Sequence, residues 1–593
     1  MINKIPKITF YICLLLLAEA IFASLMCKLS RPAAPQNLSE LINSVKVEKQ
    51  VSAEFVSGVV PHHDLAKQII AKFFQEIAGL ENPDIIVLIS PDHFEKNTLA
   101  DKPSLIALSQ KTQEFMGLKV ADNLGEFLGT KQNFIYNNSA LGLDHGIINL
   151  LPYIKENLPQ SEILPFLAPA NLDLSQIINL TKELNNWPNE KIMVIASVDF
   201  SHYLPQSAAE FHDLKSQRVL INFIPSEFEK LDVDCYQCLY SARLFAGLKG
   251  KDKYKVIAHN NSFDFAGSNQ SEETTSYFSV LWGRGDLGIQ PQFQGKTILF
   301  LGDLMLDRGV EDFSEKNSLN YPFDKIKNFL KGIDYVASNL EGPIVKKPID
   351  FGAHSLSFNF SPDILPVLKN NNLNVFSLAN NHILNRGHEG FAETKELLSQ
   401  NGFIFSGDPL KCSSDLATVT DEIIFFAVNK TYPQSCADQD IAASIKTLKQ
   451  DFKNKFLIVS LHWGIEYQDK NSLGQQNLAH LLIDSGADLI IGHHPHVVQN
   501  IEKYKNKSIF YSLGNFIFDQ YFSAATQQGL AVGLEIQPEK IVLRLFPLIS
   551  EKSQIRLMTA AEQQEFLSNL AKISDQQLKK EIESGIMSIN SKS

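Results

Sequence analysis

The sequence is short of positive charge. Lys and Arg number 54 against 66 Asp and Glu, a formal net charge of −12. Neutralising phosphates needs a basic surface, so nucleic acid is not an expected partner. Cysteine is scarce as well: six residues are too few for a disulfide framework in a chain of this length. Cys235 and Cys238 form a lone C-x-x-C. With no second pair nearby a structural zinc site is not expected, which leaves a disulfide or a single ligand thiol. No internal repeat is present.

The chain has 593 residues, too many for one core, so two or more domains are expected. Hydrophobic residues make up 44% and charged residues 20%, ordinary for a globular protein. The N-terminus carries a largely apolar stretch from Ile8 to Cys27, preceded by Lys4 and Lys7. Its length suits a membrane-spanning helix. A retained anchor, a cleaved signal peptide and a lipoprotein signal ending at Cys27 compete for it. The reading adopted is an anchor in the cytoplasmic membrane through residues 8–27, with extracytoplasmic domains, or alternatively a secreted protein.

Residues 28–51 read as a polar tether with prolines at its start. A second break, "GRGDLGIQPQFQGK" at 283–296, separates two regions of similar size. The expected domains are therefore 52–285 and 296–548, with a polar helical tail over 549–593 that frays out. Both regions alternate short β-rich runs with helical patterns, which predicts layered α/β domains. Sites in such sheets gather beyond the carboxyl ends of strands.

In the second region the strand-like runs end in polar residues. "FLGD" delivers Asp303, "ASNLEG" Asn339 and Glu341, "SLANNH" Asn380, Asn381 and His382. "SLHWG" delivers His462, "IIGHHPH" His493, His494 and His496, and "SLGNF" Asn515. Carboxylate, amide and imidazole together are ligands for Mn, Fe or Zn. Asn380 and Asn515 serve equally well as turn residues. His494 is the one expected to point away, because neighbours in an extended segment face opposite sides. In the first region, "VVPHHDL", "LISPDHF" and "ASVDFSHYL" end strands with His62, His93, Asp199 and His202, and "LGLDHG" adds Asp144 and His145. Three histidines from separate strand ends can face-bind a metal. His62 fits that pattern better than its neighbour His63.

The stretches "GDLMLDRGV", "SNLEGPI", "SLANNHILNRG", "HWGIEY", "GHHPHVVQ" and "SLGNFIFD" follow one another in family order. Through them residues 296–548 resemble the CapA family of poly-γ-glutamate capsule synthesis proteins, relatives of calcineurin-like metallophosphoesterases. That resemblance implies a four-layer α/β sandwich and a dinuclear metal centre of Asp303, Glu341, Asn381, His462, His493 and His496, with Glu341 as bridge. It makes His382 the acid that protonates a leaving oxygen. Met305 stands where metallophosphoesterases carry a histidine, and Asn385 where the family tends to carry aspartate.

"PHHDL", "SPDHF", "DHGIINLLPYI", "SVDFSHY" and "NSFDFAG" give residues 52–285 a resemblance to the Memo-like family, also called AmmeMemoRadiSam system protein B. An α/β fold akin to class III extradiol dioxygenases is implied. The implied ligands are His62, His93 and His202, binding Fe or Cu. His145 and Asp199 become acid–base or supporting residues, and Cys238 faces the pocket. Together the resemblances imply a metal-dependent hydrolase domain (Mn, Zn or Fe) fused to a metal-binding domain, serving capsule or poly-γ-glutamate synthesis with cell-envelope polymer or its machinery as partner. A non-catalytic scaffold and a Memo-like oxidoreductase are the competing readings.

Overall fold

Uninterrupted apolar runs become the strands that both halves are built on. A computed structural model describes residues 53–589 except 81, 95–102, 189–190, 267–272, 289–292, 353, 433–435 and 538–539. In the first half, Glu54–Val60, Ile192–Ser197, Ile85–Pro91 and Glu162–Ala168 lie side by side as parallel strands. Ile85–Pro91 is buried along its whole length, as a parallel strand covered on both faces must be. Thr274–Arg284 and Lys253–Asn261 extend the sheet antiparallel beyond Glu54–Val60. Helices Lys67–Ala78, Leu174–Asn186 and Tyr236–Leu248 pack on it.

The second half has two sheets face to face. One carries Lys296–Leu304, Tyr335–Leu340, Val375–Ser377 and Gln528–Ile536. The other carries Ile423–Asn429, Phe456–His462 and Leu489–His493. Alternation along a strand assigns each side chain to a layer. Ile298 and Phe300 meet Phe425, Ile458 and Ile491 between the sheets. Leu299 and Leu301 face outward to Phe329, Leu368 and Phe391. On the far side Leu457 and Val459 meet Ile441, Ile445 and Leu482. Helix, sheet, sheet and helix make four layers.

One helix ties the halves together. Gln206–Asn222 follows the strand Phe200–Leu204 with only Pro205 between. Its Ala208, Ala209 and Phe211 enter the same apolar cluster as Leu299, Phe329 and Phe546 of the second half. Three of its polar side chains, His212, Lys215 and Arg218, are buried and paired there. Lys215 Nζ donates to Ile333 O at 2.9 Å, and His212 Nε2 lies 2.7 Å from Phe329 O. Arg218 pairs with Asp334 and Glu227. A Cβ on Gly332 would stand 2.4 Å from the His212 ring, so this approach needs glycine.

Two expectations are corrected. No helix among the described residues is long and apolar enough to cross a membrane, which overturns the single N-terminal anchor and the membrane location built on it. Residues 8–27, on which that expectation falls, lie outside the described residues. The C-terminal segment does not fray: Leu567, Leu570, Ile582 and Met587 join the core between the sheets, and Ile586–Ile589 pairs with Ile541–Glu551. Among the described residues two disulfides form: Cys235–Cys238, one of the two readings left open for that C-x-x-C, and Cys412–Cys436.

Candidate metal centres

The two sheets of the second half deliver their strand ends to one place. Asp303 lies one residue from the end of Lys296–Leu304, and Glu341 follows Tyr335–Leu340 directly. His462 and His493 are the last residues of neighbouring strands and sit in register. The carboxylates of Asp303 and Glu341 are wholly buried. Asp303 Oδ1 is 3.4 Å from His493 Nδ1, and its Oδ2 is 3.4 Å from His496 Nδ1. Glu341 Oε1 is 3.6 Å from His496 Nε2 and 3.7 Å from His382 Nε2. Asn381 Oδ1 sits 2.6 Å from His462 Nε2. All seven residues that the sequence nominated in this half therefore converge.

Supporting amides hold this cluster. Asn339 Nδ2 donates to Asp303 Oδ1 at 2.8 Å and to Glu341 Oε2 at 3.2 Å. Asn380 is a turn residue: its Oδ1 accepts the His382 and Ile383 backbone N–H groups. Asn515 Oδ1 lies 2.9 Å from His496 Nδ1. His494 does not point away. Its backbone N–H donates to Asp303 Oδ2 at 3.2 Å, and its ring is 4.8 Å from that of His462. Asp307 faces elsewhere, its Oδ1 accepting Arg308 N–H at 2.7 Å and its Oδ2 Asn359 N–H at 2.8 Å.

The electrostatics are those of a charged pocket out of water. Burial, then the negative charge of Asp303, hold the Glu341 carboxyl well above its ordinary range. Burial pushes Asp303 up too, but the His493 and His496 imidazoles beside it win and hold it well below. His496 is driven the other way, up to about 9, because Glu341 and Asp303 outweigh its burial. Burial pushes His382 and His494 down to about 4. Glu341 Oε1, His493 Nδ1 and His494 Nδ1 are buried without a hydrogen-bond partner. Asp303, Glu341 and His496 each offer a ligand atom within 4.8 Å of the others. An unpartnered oxygen on Glu341, a second buried acid beside it and a ring of imidazoles fit a divalent cation.

In the first half, register builds the site. Val60 pairs with Ser197, so His62 and Asp199 both lie two residues beyond one rung, and His62 N–H donates to Asp199 Oδ1 at 3.1 Å. Ser197 Oγ donates to Gly146 O at 2.6 Å, which leaves its oxygen to accept from His62 Nδ1 at 3.1 Å. That tautomer frees His62 Nε2, which lies 3.6 Å from Asp199 Oδ2 and 3.5 Å from Asp234 Oδ2. Likewise His93 Nδ1 is held by Asp144 Oδ1 at 2.8 Å. Asp144 also accepts Gly146 N–H, capping the short helix His145–Ile148. The tightest imidazole trio is His62, His93 and His145, with ligand atoms within 4.8 Å of one another. His202 stands close enough to feel Asp199 and His93 but is not one of the trio. His63 caps the turn Asp64–Ala66 instead.

Asp234 was missed, and Cys238 is corrected. Cys238 is tied to Cys235 at the start of the helix Tyr236–Leu248, so it has no free thiol to turn to the pocket. The neighbouring Asp234 enters the pocket instead and groups with His62 and Asp199. Its only signal in the sequence is its place just before the C-x-x-C.

Two family models match in tandem. Residues 29–277 match the Memo-like protein model, and residues 297–520 match the bacterial capsule synthesis protein PGA_cap. "Capsule biosynthesis protein CapA" of Bacillus anthracis is 29% identical over 287 residues, covering 45% of this chain and 70% of that protein. "PGA biosynthesis protein CapA" of Bacillus subtilis is 33% identical over 250 residues, covering 39% of this chain and 65% of that protein. A "MEMO1 family protein" of Caldivirga maquilingensis is 23% identical over 242 residues, 38% of this chain and 82% of its own. The chain thus spans 65% to 70% of the length of these CapA relatives. With each half matched to its own family, the chain is a fusion of a Memo-like region with a region of the PGA_cap capsule-synthesis family.

Proposed function

We propose that the second half, 296–548, is a divalent-metal hydrolase serving capsule or poly-γ-glutamate synthesis. The first half, 52–285, holds a separate metal centre suited to Fe or Cu, and 549–593 completes the hydrolase core. One observation carries the hydrolase reading: Glu341 Oε1 is buried where two sheets meet and has no hydrogen-bond partner. A fold leaves a carboxylate oxygen so placed only where a counter-charge completes it. The destination in capsule or polyglutamate synthesis is supported by the names of the CapA relatives. Envelope polymer, or the machinery that makes it, is the partner this reading implies.

A cation held by Asp303, Glu341, Asn381, His462, His493 and His496 supplies Lewis acidity, and Mn, Zn or Fe suits that donor set. The chain's own groups do the rest. Asn385 Oδ1 takes the His382 Nδ1–H, which turns Nε2 toward the centre. Held down to about 4, His382 is uncharged near neutrality, so Nε2 takes a proton from the attacking water and returns it to the leaving oxygen. Phe358 covers the imidazole at 4.3 Å between centroids and shields that face from solvent. In the first half His62, His93 and His202 are the proposed ligands. His145 and Asp199 are the groups that hold and move protons there.

The test uses the full-length chain. Elemental analysis is paired with hydrolysis of a generic phosphodiester and of poly-γ-glutamate, for the wild type and for His496→Ala. Bound metal and cleavage of one substrate, both lost or sharply reduced in His496→Ala, are expected. A metal-free, inactive wild type sinks the reading.

A further inference from the structure

The C-terminal segment does more than close the core. Ala560–Ile573 is a helix fixed at its start by a reciprocal cap between Thr559 and Glu562. Its Glu562, Glu565, Phe566, Asn569, Leu570 and Ile573 recur at helical spacing, so they share one face. That face forms one wall of a cavity of about 490 Å3, a size suited to a small-molecule site. The family match ends at residue 520, so this wall is built from chain beyond it.

The opposite wall belongs to the neighbourhood of the candidate metal centre. Val497 and Val498 directly follow His496, and Tyr467 comes from the loop after His462. The Tyr467 ring lies 6.3 Å from that of His496, and the ring of Phe522 meets it edge-on at 5.3 Å. One aromatic side chain thus lines the cavity and stands beside a candidate ligand. It is held there in a costly conformation. Its φ is +64°, which a bulky side chain rarely adopts, and its N–H donates to Pro495 O at 2.8 Å. Backbone of this kind collects at functional sites.

The chemistry of the walls selects an occupant. Val498, Met558, Phe566, Leu570 and Ile573 make much of the surface apolar. The charged groups are acids alone, Asp469, Glu562 and Glu565; no Lys, Arg or His lines the cavity among the described residues. Glu562 is already spent on Arg556, at 2.7 and 3.0 Å. No ion pair engages Asp469 or Glu565 among the described residues. Such a wall repels a polyanion. A cation on an apolar stem meets both its charge and its apolar surface, and finds aromatic rings in Tyr467 and Phe566.

We propose that this cavity binds a primary ammonium group carried on an apolar stem, and that it is the subsite for the amine-bearing side of the second half's substrate. The binding site stands on the cavity itself; its place as a substrate subsite rests on the hydrolase reading.

The experiment titrates the full-length chain with n-hexylamine, hexanoate and methylamine by calorimetry at neutral pH, where both amines are protonated. Wild type is compared with the double variant Asp469→Asn, Glu565→Gln and with Asp421→Asn. Asp421 is an exposed acid before the strand Ile423–Asn429, at the end away from the metal centre. Wild type is expected to bind hexylamine about tenfold or more tighter than hexanoate or methylamine. The double variant is expected to lose about tenfold or more for hexylamine, while Asp421→Asn keeps the wild-type isotherm. Absence of hexylamine binding, equal binding of hexanoate or methylamine, or a double variant like wild type overturns the proposal. Equal weakening by Asp421→Asn overturns it too. Far-UV circular dichroism checks that the double variant, isosteric at two exposed positions, keeps its fold. In the hydrolysis assay hexylamine is expected to raise KM without lowering kcat, and an unchanged KM overturns the subsite. A wild type that binds no metal and cleaves nothing, yet keeps the preference for hexylamine, sinks the hydrolase reading and leaves the amine site standing.

Discussion

Asn385 Oδ1 lies 3.2 Å from His382 Nδ1 and also accepts the Phe358 backbone N–H at 2.8 Å. A neutral amide thus orients the imidazole without adding charge to it. Asn385→Asp would place a carboxylate there and favour imidazolium. We expect His382 to rise from about 4 by roughly one to three pH units. Activity that needs Nε2 unprotonated falls as pH drops through that pKa. The acid limb of the pH–rate profile therefore moves to higher pH in the variant, and a limb that stays in place would show that His382 does not carry the proton.

Metal removal is the broadest check on the second half. The Asp303 and Glu341 carboxylates are buried together, so a chelator removes a counter-charge that both share. EDTA is expected to lower the unfolding temperature. Returning Mn2+ or Zn2+ to one hundred times its Kd should restore about 2.7 kcal/mol if binding is confined to the folded state. Calorimetric unfolding with and without chelator measures this, and coincident transitions would count against a bound cation.

In the first half, Asp144 is the residue to change. It holds His93 Nδ1 at 2.8 Å and caps the helix His145–Ile148, so it places one proposed ligand and the neighbouring His145 at once. Asp144→Ala is expected to weaken metal binding by the first half roughly 10- to 100-fold. Loss of the cap should cost about 1 kcal/mol of stability besides. Metal titration of the variant should leave the second-half equivalents untouched; a change there instead would mean that the two centres are not independent.

Between the halves, Lys215 makes stability depend on alkaline pH. Burial lowers its pKa from 10.5 to about 8, against the raising influence of Asp334 and Glu227. The folded chain therefore binds fewer protons than the unfolded chain between those values, and stability rises with pH across the window. The penalty is fully present below pH 8 and amounts to roughly 3 kcal/mol. Denaturant unfolding of wild type and Lys215→Met from pH 8 to 10.5 should show the rise in wild type and a flatter profile in the variant. Parallel profiles would contradict the shift.

Strand ends were readable because the strands are buried on both faces and so stand out as unbroken apolar runs. "FLIVSLH" is the strand Phe456–His462, residue for residue, and "EFVSGVV" is Glu54–Val60. His494 was misjudged for a definite reason. Alternation holds only within extended backbone, and the strand ends at His493; His494 has φ 96° and His496 φ 57°, so both rings turn inward. Asp234 stands at a helix start, far from any strand end. The Cys412–Cys436 pair closes a 24-residue separation that no spacing rule foretells. The helix Gln206–Asn222 mixes His212, Asp213, Lys215 and Arg218 with its apolar residues and shows no polar face kept for solvent, since all four are buried. Its partners belong to the other half, and a pattern taken along one segment cannot reveal them.

That helix also limits how the molecule can be taken apart. Excised at the break near residue 290, the N-terminal piece would bare Ala208, Ala209 and Phe211 to water along with a stranded lysine and arginine. The C-terminal piece would bare Phe329 and Phe546. Neither fragment is a natural unit of solubility: each half completes the other's surface, so the two are bound to be made and kept as one piece.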